Sequence, residues 1–279
     1  VLYMDFSTQQ NLELVIPLRA QSKSETLWSF MDRCQSAMGS RLLKKWVEKP
    51  LVDKKKIELR LDRVEILMKD FIAREELKEN LSKVYDVQRL IARVAMGSAN
   101  AMDCIRLQKT LNAVPAIFDG LKGEVFDELK KGDRLQDLHA QLEHAFVENP
   151  PLSTKEGGMF QDGYDAELDE IRIIQRQGKD WILQLENAEK EKTGIRTLKI
   201  GYNRVFGYYI EVSKGANSQI KDEFGYIRKQ TLTNCERYVT QDLKEKEDAI
   251  LHAEERSVRR ELQLFQELLE KIKRYLPKL

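Results

Sequence analysis

Between Ile195 and Tyr238 the chain gathers side chains that can hold phosphate without reading a base: Lys199, Asn203, Arg204, Lys214, Arg228, Lys229 and Gln230. Ammonium, guanidinium and amide groups donate to phosphate oxygens, and such contacts position a nucleic-acid backbone irrespective of its sequence. Eight basic and four acidic residues leave this segment four charges positive in a chain whose net charge is +1. A solvated tip would carry similar charges, so composition alone leaves phosphate contact as one option beside simple solubility. Tyr202, Phe206, Tyr208 and Tyr209 fall where a small sheet needs a core, and that role is expected of them in preference to stacking on bases.

Other chemistry finds little support. There is no Gly-rich phosphate loop or dinucleotide turn, and Gly157-Gly158 lacks the flanking strand and helix that either requires. His139, His144 and His252 share no metal-ligand spacing with one another or with Cys34, Cys104 and Cys235. The three cysteines are far apart and odd in number, which suits reduced thiols and an intracellular, cytoplasmic setting. Acidic pairs such as Glu75-Glu76 and Glu254-Glu255 sit in charge-rich helical sequence, where solvated pairing is the default. No nucleophile–base pair can be assembled. The chain is therefore expected to be no enzyme by itself, with no catalytic residue, no metal and no cofactor. No apolar run approaches the roughly 20 residues of a membrane span, so no membrane partner is expected. There is no signal peptide, and a sequence that starts at Val1 is expected to be a piece of something longer.

The elements that would carry the basic segment follow from periodicity. Leu198, Ile200 and Tyr202 alternate with Thr197, Lys199 and Gly201, Asn203-Arg204 turns the chain, and Phe206, Tyr208, Ile210 and Val212 share the next strand face. Gly215 to Lys221 reads as a polar loop, and Tyr226–Thr233 as a third strand-prone run. Helices are expected on both sides. One runs from about Tyr164 to Glu191, weakened at Gln175 and Gly178. Another runs from about Thr240 to Tyr275 with Val258, Leu262, Phe265, Leu269, Ile272 and Leu276 at heptad spacing. At about 1.5 Å per residue they would be about 45 and 55 Å long, run antiparallel and carry the sheet at a shared end. Upstream, Leu27, Phe30, Met31, Cys34, Met38, Leu42 and Trp46 form an apolar stripe over Thr26–Val47 that Pro50 ends. Asp53 can cap a helix with Ile57, Leu61, Val64 and Met68 on its inner face. Shorter helices are expected near 73–83, 86–95, 100–113 and 134–146, a loop at 147–163, and a strand or extended lead-in over Asn11–Leu18 that ends at Pro17. The fold class is mainly α: a multi-helix bundle with a long antiparallel helical pair and a small antiparallel β-sheet module inserted at its tip.

In order along the chain, the residues resemble the MutS family of DNA mismatch-repair proteins. Thr8 to Leu14 resembles its opening segment. Ala37-Met38-Gly39-Ser40-Arg41-Leu42-Leu43, Trp46, Pro50-Leu51, and Asp86-Val87-Gln88-Arg89-Leu90 with Arg93 follow. Gly163 to Asp169 resembles the start of the long helix. The most specific stretch is Leu198 to Val212, continued by Tyr226 to Asn234, Glu236-Arg237-Tyr238 and Leu243-Lys244. One departure is Gln241 after Thr240, where the family often has proline at the first helical position.

The resemblance implies a core and lever region over 1–184, an inserted clamp over 185–239 and a returning lever helix over 240–279. It implies that the clamp touches the duplex DNA backbone without sequence readout while the levers couple ATPase state to clamp opening. It also implies a longer bacterial, nucleoid-associated parent that binds ATP and Mg in a separate ATPase domain, forms a homodimer and works with the mismatch-repair partner MutL. A rival reading of the same residues is a helical coiled-coil scaffold with a protein-binding β tip, through edge-to-edge strand pairing or dimerisation of the heptad helix.

Overall fold

The computed structural model describes residues 1–18, 26–203 and 205–279. Arg204, one of the expected phosphate contacts, lies outside them, as do residues 19–25. The chain is mainly helical with one four-stranded antiparallel sheet. Its residues pack as two compact units, 1–152 with 266–279, and 153–265.

The first unit holds α1 (Phe6–Asn11), α2 (Leu27–Met31), α3 (Ala37–Glu48), α4 (Lys54–Lys69), α5 (Phe71–Ser82), α6 (Val87–Ala95), α7 (Ala101–Gly120), α8 (Asp127–Lys130) and α9 (Gln136–Glu143). Asp53, Asp70, Asp86 and Asn100 each accept a bond from an N–H in the following first turn, which satisfies donors that a helix start leaves open. Leu107, Leu111, Leu138 and Leu142 are buried where α7 packs on α9. Helix α7 runs past the expected end at 113 and takes Pro115 into its interior. The ring removes one donor, yet packing of α7 on α5 continues to Gly120 beside Leu77.

Three expectations fail here. Asn11–Leu18 forms no strand: Phe6–Asn11 is a helix started by the Asp5 carboxylate, and turns follow. The stripe over Thr26–Val47 is not one helix, because Asp32 and Ser36 cap separate pieces. Asp32 accepts from the Cys34 N–H and from the Ser40 hydroxyl, and Ser36 accepts from the Gly39 N–H at 3.1 Å. The expected inner face of α4 points outward, with Leu61 and Met68 more than 60% exposed. The packed side is instead the one where Arg63 Nε donates to the Val125 carbonyl at 2.8 Å and Ile66 meets Gly123. A helix with apolar residues on two sides can bury only the side its neighbour reaches.

The second unit begins with a loop. The N–H groups of Gly158 and Met159 donate to the buried Glu261 carboxylate at 2.9 and 2.7 Å, and Arg172 joins it at 3.0 Å. Then come α10 (Ala166–Thr193), β1 (Lys199–Asn203), β2 (Gly207–Ser213), β3 (Ile227–Thr231) and β4 (Cys235–Val239), followed by α11 (Gln241–Tyr275), which contributes residues to both units. Within the second unit α10 and the first half of α11 are antiparallel. Asp165 pairs with Arg260, Gly178 lies against Ile250, and Lys246 lies over Trp181. Gly194, at φ 73°, ends α10, and the Thr240 hydroxyl accepts from Leu243 N–H at the start of α11, where Gln241 takes the first helical position.

Strand order is β1-β2-β4-β3. The sequence offers three strand-prone runs, and β4, which is central, is not among them. Glu236 and Arg237 break the apolar alternation, but Glu236 is buried because Tyr238 Oη donates to it at 2.6 Å. Ile210, Val212 and Tyr238 on the inner face form a core with Ile195, Leu198 and Leu243, backed by Trp181, Ile182 and Leu185 of α10. A small sheet is marginal alone, and these helix residues supply its support.

Candidate nucleic-acid interface

Three carboxylates on the helices hold the sheet. Glu186 Oε2 accepts from Ile200 N–H at 2.9 Å, and that bond together with Lys190 keeps its carboxyl below the usual range. Glu189 accepts from Tyr226 Oη at 2.6 Å, and burial together with this carboxylate raises the tyrosine's pKa. Lys244 Nζ donates to the Phe206 carbonyl at 2.9 Å and pairs with the buried Glu247 at 2.8 Å. Gly207, at φ 74°, makes room for that carboxylate: a Cβ would run into it.

The outer face carries one row across all four strands. Lys199 stands opposite Glu211, Glu211 opposite Arg237, and Arg237 opposite Gln230. Arg237 donates to Glu211 and to Gln230 Oε1, each at 3.0 Å, and lies 4.2 Å from the centre of the Tyr209 ring. Tyr209 in turn covers Gly201, where any Cβ would stand 2.7 Å from the ring. The guanidinium is thus already satisfied by an anion, an amide and an aromatic face. Glu211, Tyr209 and Arg237 were not among the expected contacts. Period-two alternation carried through β4 is the signal that would have placed Arg237 on this row.

The expected contacts do not converge on one spot. Lys199 heads the outer row and is exposed. Gln230 is on the same row, with its carbonyl oxygen taken by Arg237 and its amide N–H groups available. Lys229 sits at the β-bulge between Arg228 and Gln230 and is exposed. Asn203 is at the opposite end of β1 from Lys199, where its Oδ1 accepts from Val205 N–H at 2.8 Å. Lys214 follows the far end of β2, and its N–H donates to the Asn234 carbonyl at 3.0 Å. Arg228 faces the inner side and leans on Glu236 at 3.4 Å, still 62% exposed. Tyr238, Asn217 and Arg228 together hold the Glu236 carboxyl below its usual range, while burial and Glu236 push the Tyr238 hydroxyl up to about 12. Among the described residues, Lys199, Lys214 and Lys229 form no ion pair. Burial pushes the Cys104 thiol up to about 12, as suits an unreactive core thiol.

Fold and site together define a helical protein whose antiparallel helix pair carries a small sheet bordered by exposed lysines. The chain belongs to the MutS domain III family, whose model matches residues 7–279. It is 48% identical to the DNA mismatch repair protein MutS of Bacillus subtilis over 280 residues, which is 99% of this chain and 32% of that protein. It is likewise 48% identical to the protein of that name from Halalkalibacterium halodurans, and 47% to that from Listeria monocytogenes, each over 99% of this chain and 32% of the relative. The chain spans about a third of the length of these curated relatives. No helix among the described residues is long and apolar enough to cross a membrane.

Proposed function

We propose that the sheet is a clamp that grips the sugar–phosphate backbone of duplex DNA without reading its sequence, as part of a MutS-type mismatch-repair protein. In this reading 1–184 forms the core and first lever segment, 185–239 the clamp, and 240–279 the returning lever helix. The observation that carries it is the exposed charge, unpaired among the described residues, of Lys199 on the outer row, Lys229 at the bulge and Lys214 past the end of β2, while Arg237 is already neutralised; these lysine ammonium groups are left for phosphate. Asn203 and Gln230 add amide donors, and Arg228 and Arg204 complete the set. The stiff anchoring through Glu186, Glu189 and Glu247 makes the clamp follow its helices, so that a change at the far end of the levers moves it. ATP and Mg would act in a separate ATPase domain of the longer polypeptide, this chain contributing no catalytic residue. A homodimer closing around DNA and the partner MutL belong to the same reading, as does a bacterial cytoplasm. For the rival protein-binding tip, the bulge at Lys229 blunts strand addition at the β3 edge, and β1 is the edge that would accept a strand.

The test is duplex binding by the chain as salt is raised. Affinity should be equal for matched and mismatched duplexes and fall steeply with salt. Lys199→Glu and Lys229→Glu should each make the slope of log K on log salt shallower by about 1. Salt-insensitive or mismatch-selective binding by this chain overturns the assignment.

A further inference from the structure

The densest positive charge in the chain lies outside the sheet. Residues 41–56 hold seven basic and two acidic side chains, a net of five positive charges in sixteen residues. They form most of α3, the turn after it and the first turn of α4. Arg41 is committed to Asp86 and Gln88, with its two terminal nitrogens 2.8 and 2.7 Å from the Asp86 oxygens. Lys44 lies over Trp28 and 3.9 Å from Glu48. Lys54 reaches Glu58 at 3.6 Å but is 87% exposed. Lys45, Lys49, Lys55 and Lys56 are exposed and, among the described residues, pair with no acid.

Lys54, Lys55 and Lys56 fill the first turn of a 16-residue helix that has no acidic residue there. Peptide dipoles already make that end positive, so acidic side chains suit it and lysines oppose it. Charge set against its own helix, and at Lys55 and Lys56 paired with no acid among the described residues, is a local inconsistency of the kind that marks function. The residue type narrows the partner. A planar carboxylate favours the guanidinium fork, whereas a run of lysines supplies point charges on flexible stems, which suits closely spaced phosphates. A duplex presents about one such charge per 1.7 Å of its axis.

We propose that Lys45, Lys49, Lys54, Lys55 and Lys56 form a second, sequence-independent surface for the phosphate backbone of duplex DNA. This rests on the reading of the chain as a DNA-gripping protein, and not on any contact made by the sheet.

The test is the Lys55→Glu/Lys56→Glu variant of the full 279-residue chain, titrated against a fluorescein-labelled duplex at several salt concentrations. Affinity should fall, and the slope of log K on log salt should become shallower by about 2. The same substitutions put acidic groups in the first turn of α4, with glutamate at the position three residues after the Asp53 cap, so the melting temperature should stay level or rise. Loss of binding with a raised melting temperature cannot come from unfolding. Inorganic polyphosphate should displace the wild-type chain from duplex, and should do so less well from the variant. Wild-type affinity and slope in the variant would overturn the proposal, as would poly-glutamate competing as well as polyphosphate. If Lys199→Glu/Lys229→Glu weakens binding and the α4 variant does not, this surface falls and the clamp reading stands. A wild-type chain that binds no duplex at low salt overturns both.

Discussion

Gly207 shows how much of the interface depends on a position whose role is invisible in sequence. The alternation of Phe206, Tyr208 and Ile210 marks a strand, but nothing in it says that residue 207 has φ 74° and faces a buried carboxylate. Alanine there meets both constraints. The backbone term is roughly 1–2 kcal/mol, and crowding against Glu247 adds about 1–3 kcal/mol. Gly207→Ala should therefore destabilise the chain by about 2–5 kcal/mol in urea unfolding. A change under about 1 kcal/mol would mean that Glu247 can swing clear of the turn.

The Glu236–Tyr238 pair gives a second expectation, in pH. Glu236 has a folded pKa below the ordinary 4.5, so its stabilisation is complete above that value and is lost as pH falls through the lowered one. Tyr238 is the opposite case. Its folded pKa is raised from 10.0 to about 12, so its contribution is complete below 10 and is lost as pH rises through that window. Thermal melts from acid to alkaline pH should fall at both ends. Glu236→Gln should flatten the acid arm, Tyr238→Phe the alkaline one. If neither substitution changes the profile, the pair does not govern it.

Long periodic elements were the most legible. The expected start of α11 near Thr240 falls on its cap, with Gln241 the first helical residue. The seam facing α10 was less so, because heptad spacing names the apolar residues without saying where the helices come closest. That place is Gly178, where a Cβ would stand 2.5 Å from Ile250 Cγ1. Glycine inside a helix costs about 1 kcal/mol relative to alanine, so by propensity alone Gly178→Ala would stabilise α10. The close approach reverses the sign: the variant should lose about 1–2 kcal/mol as Ile250 is displaced. In the Gly178→Ala/Ile250→Ala double variant the new methyl occupies part of the vacated space. Its loss should be smaller than the sum of the singles by about 1 kcal/mol or more. Additive singles would show that the helices part without strain. The central strand β4 and the break between α2 and α3 were illegible for a related reason. Both depend on short-range polar bonds that apolar periodicity does not register: Glu236 accepts from Tyr238, and Asp32 from the Cys34 N–H and the Ser40 hydroxyl.

A net charge of +1 conceals a strong separation. Residues 41–56 and 195–238 hold nine net positive charges between them, and the rest of the chain is eight negative. The second segment stands out because its charge falls in strand-prone sequence, whereas the lysines of the first sit in ordinary helical sequence. The consequence for binding is measurable. If both surfaces hold one duplex at once, each contributes its own released counterions, and their losses should add in log K. Combining Lys55→Glu/Lys56→Glu with Lys199→Glu/Lys229→Glu should then reduce log K by the sum of the separate reductions and make the salt slope shallower by about 4. If the surfaces compete for duplex, the remaining one supports binding in each separate variant. Each pair alone would then lower affinity by that surface's share of the binding, and the combination would cost more than the sum of the two. The two outcomes separate one extended DNA path from two alternative sites.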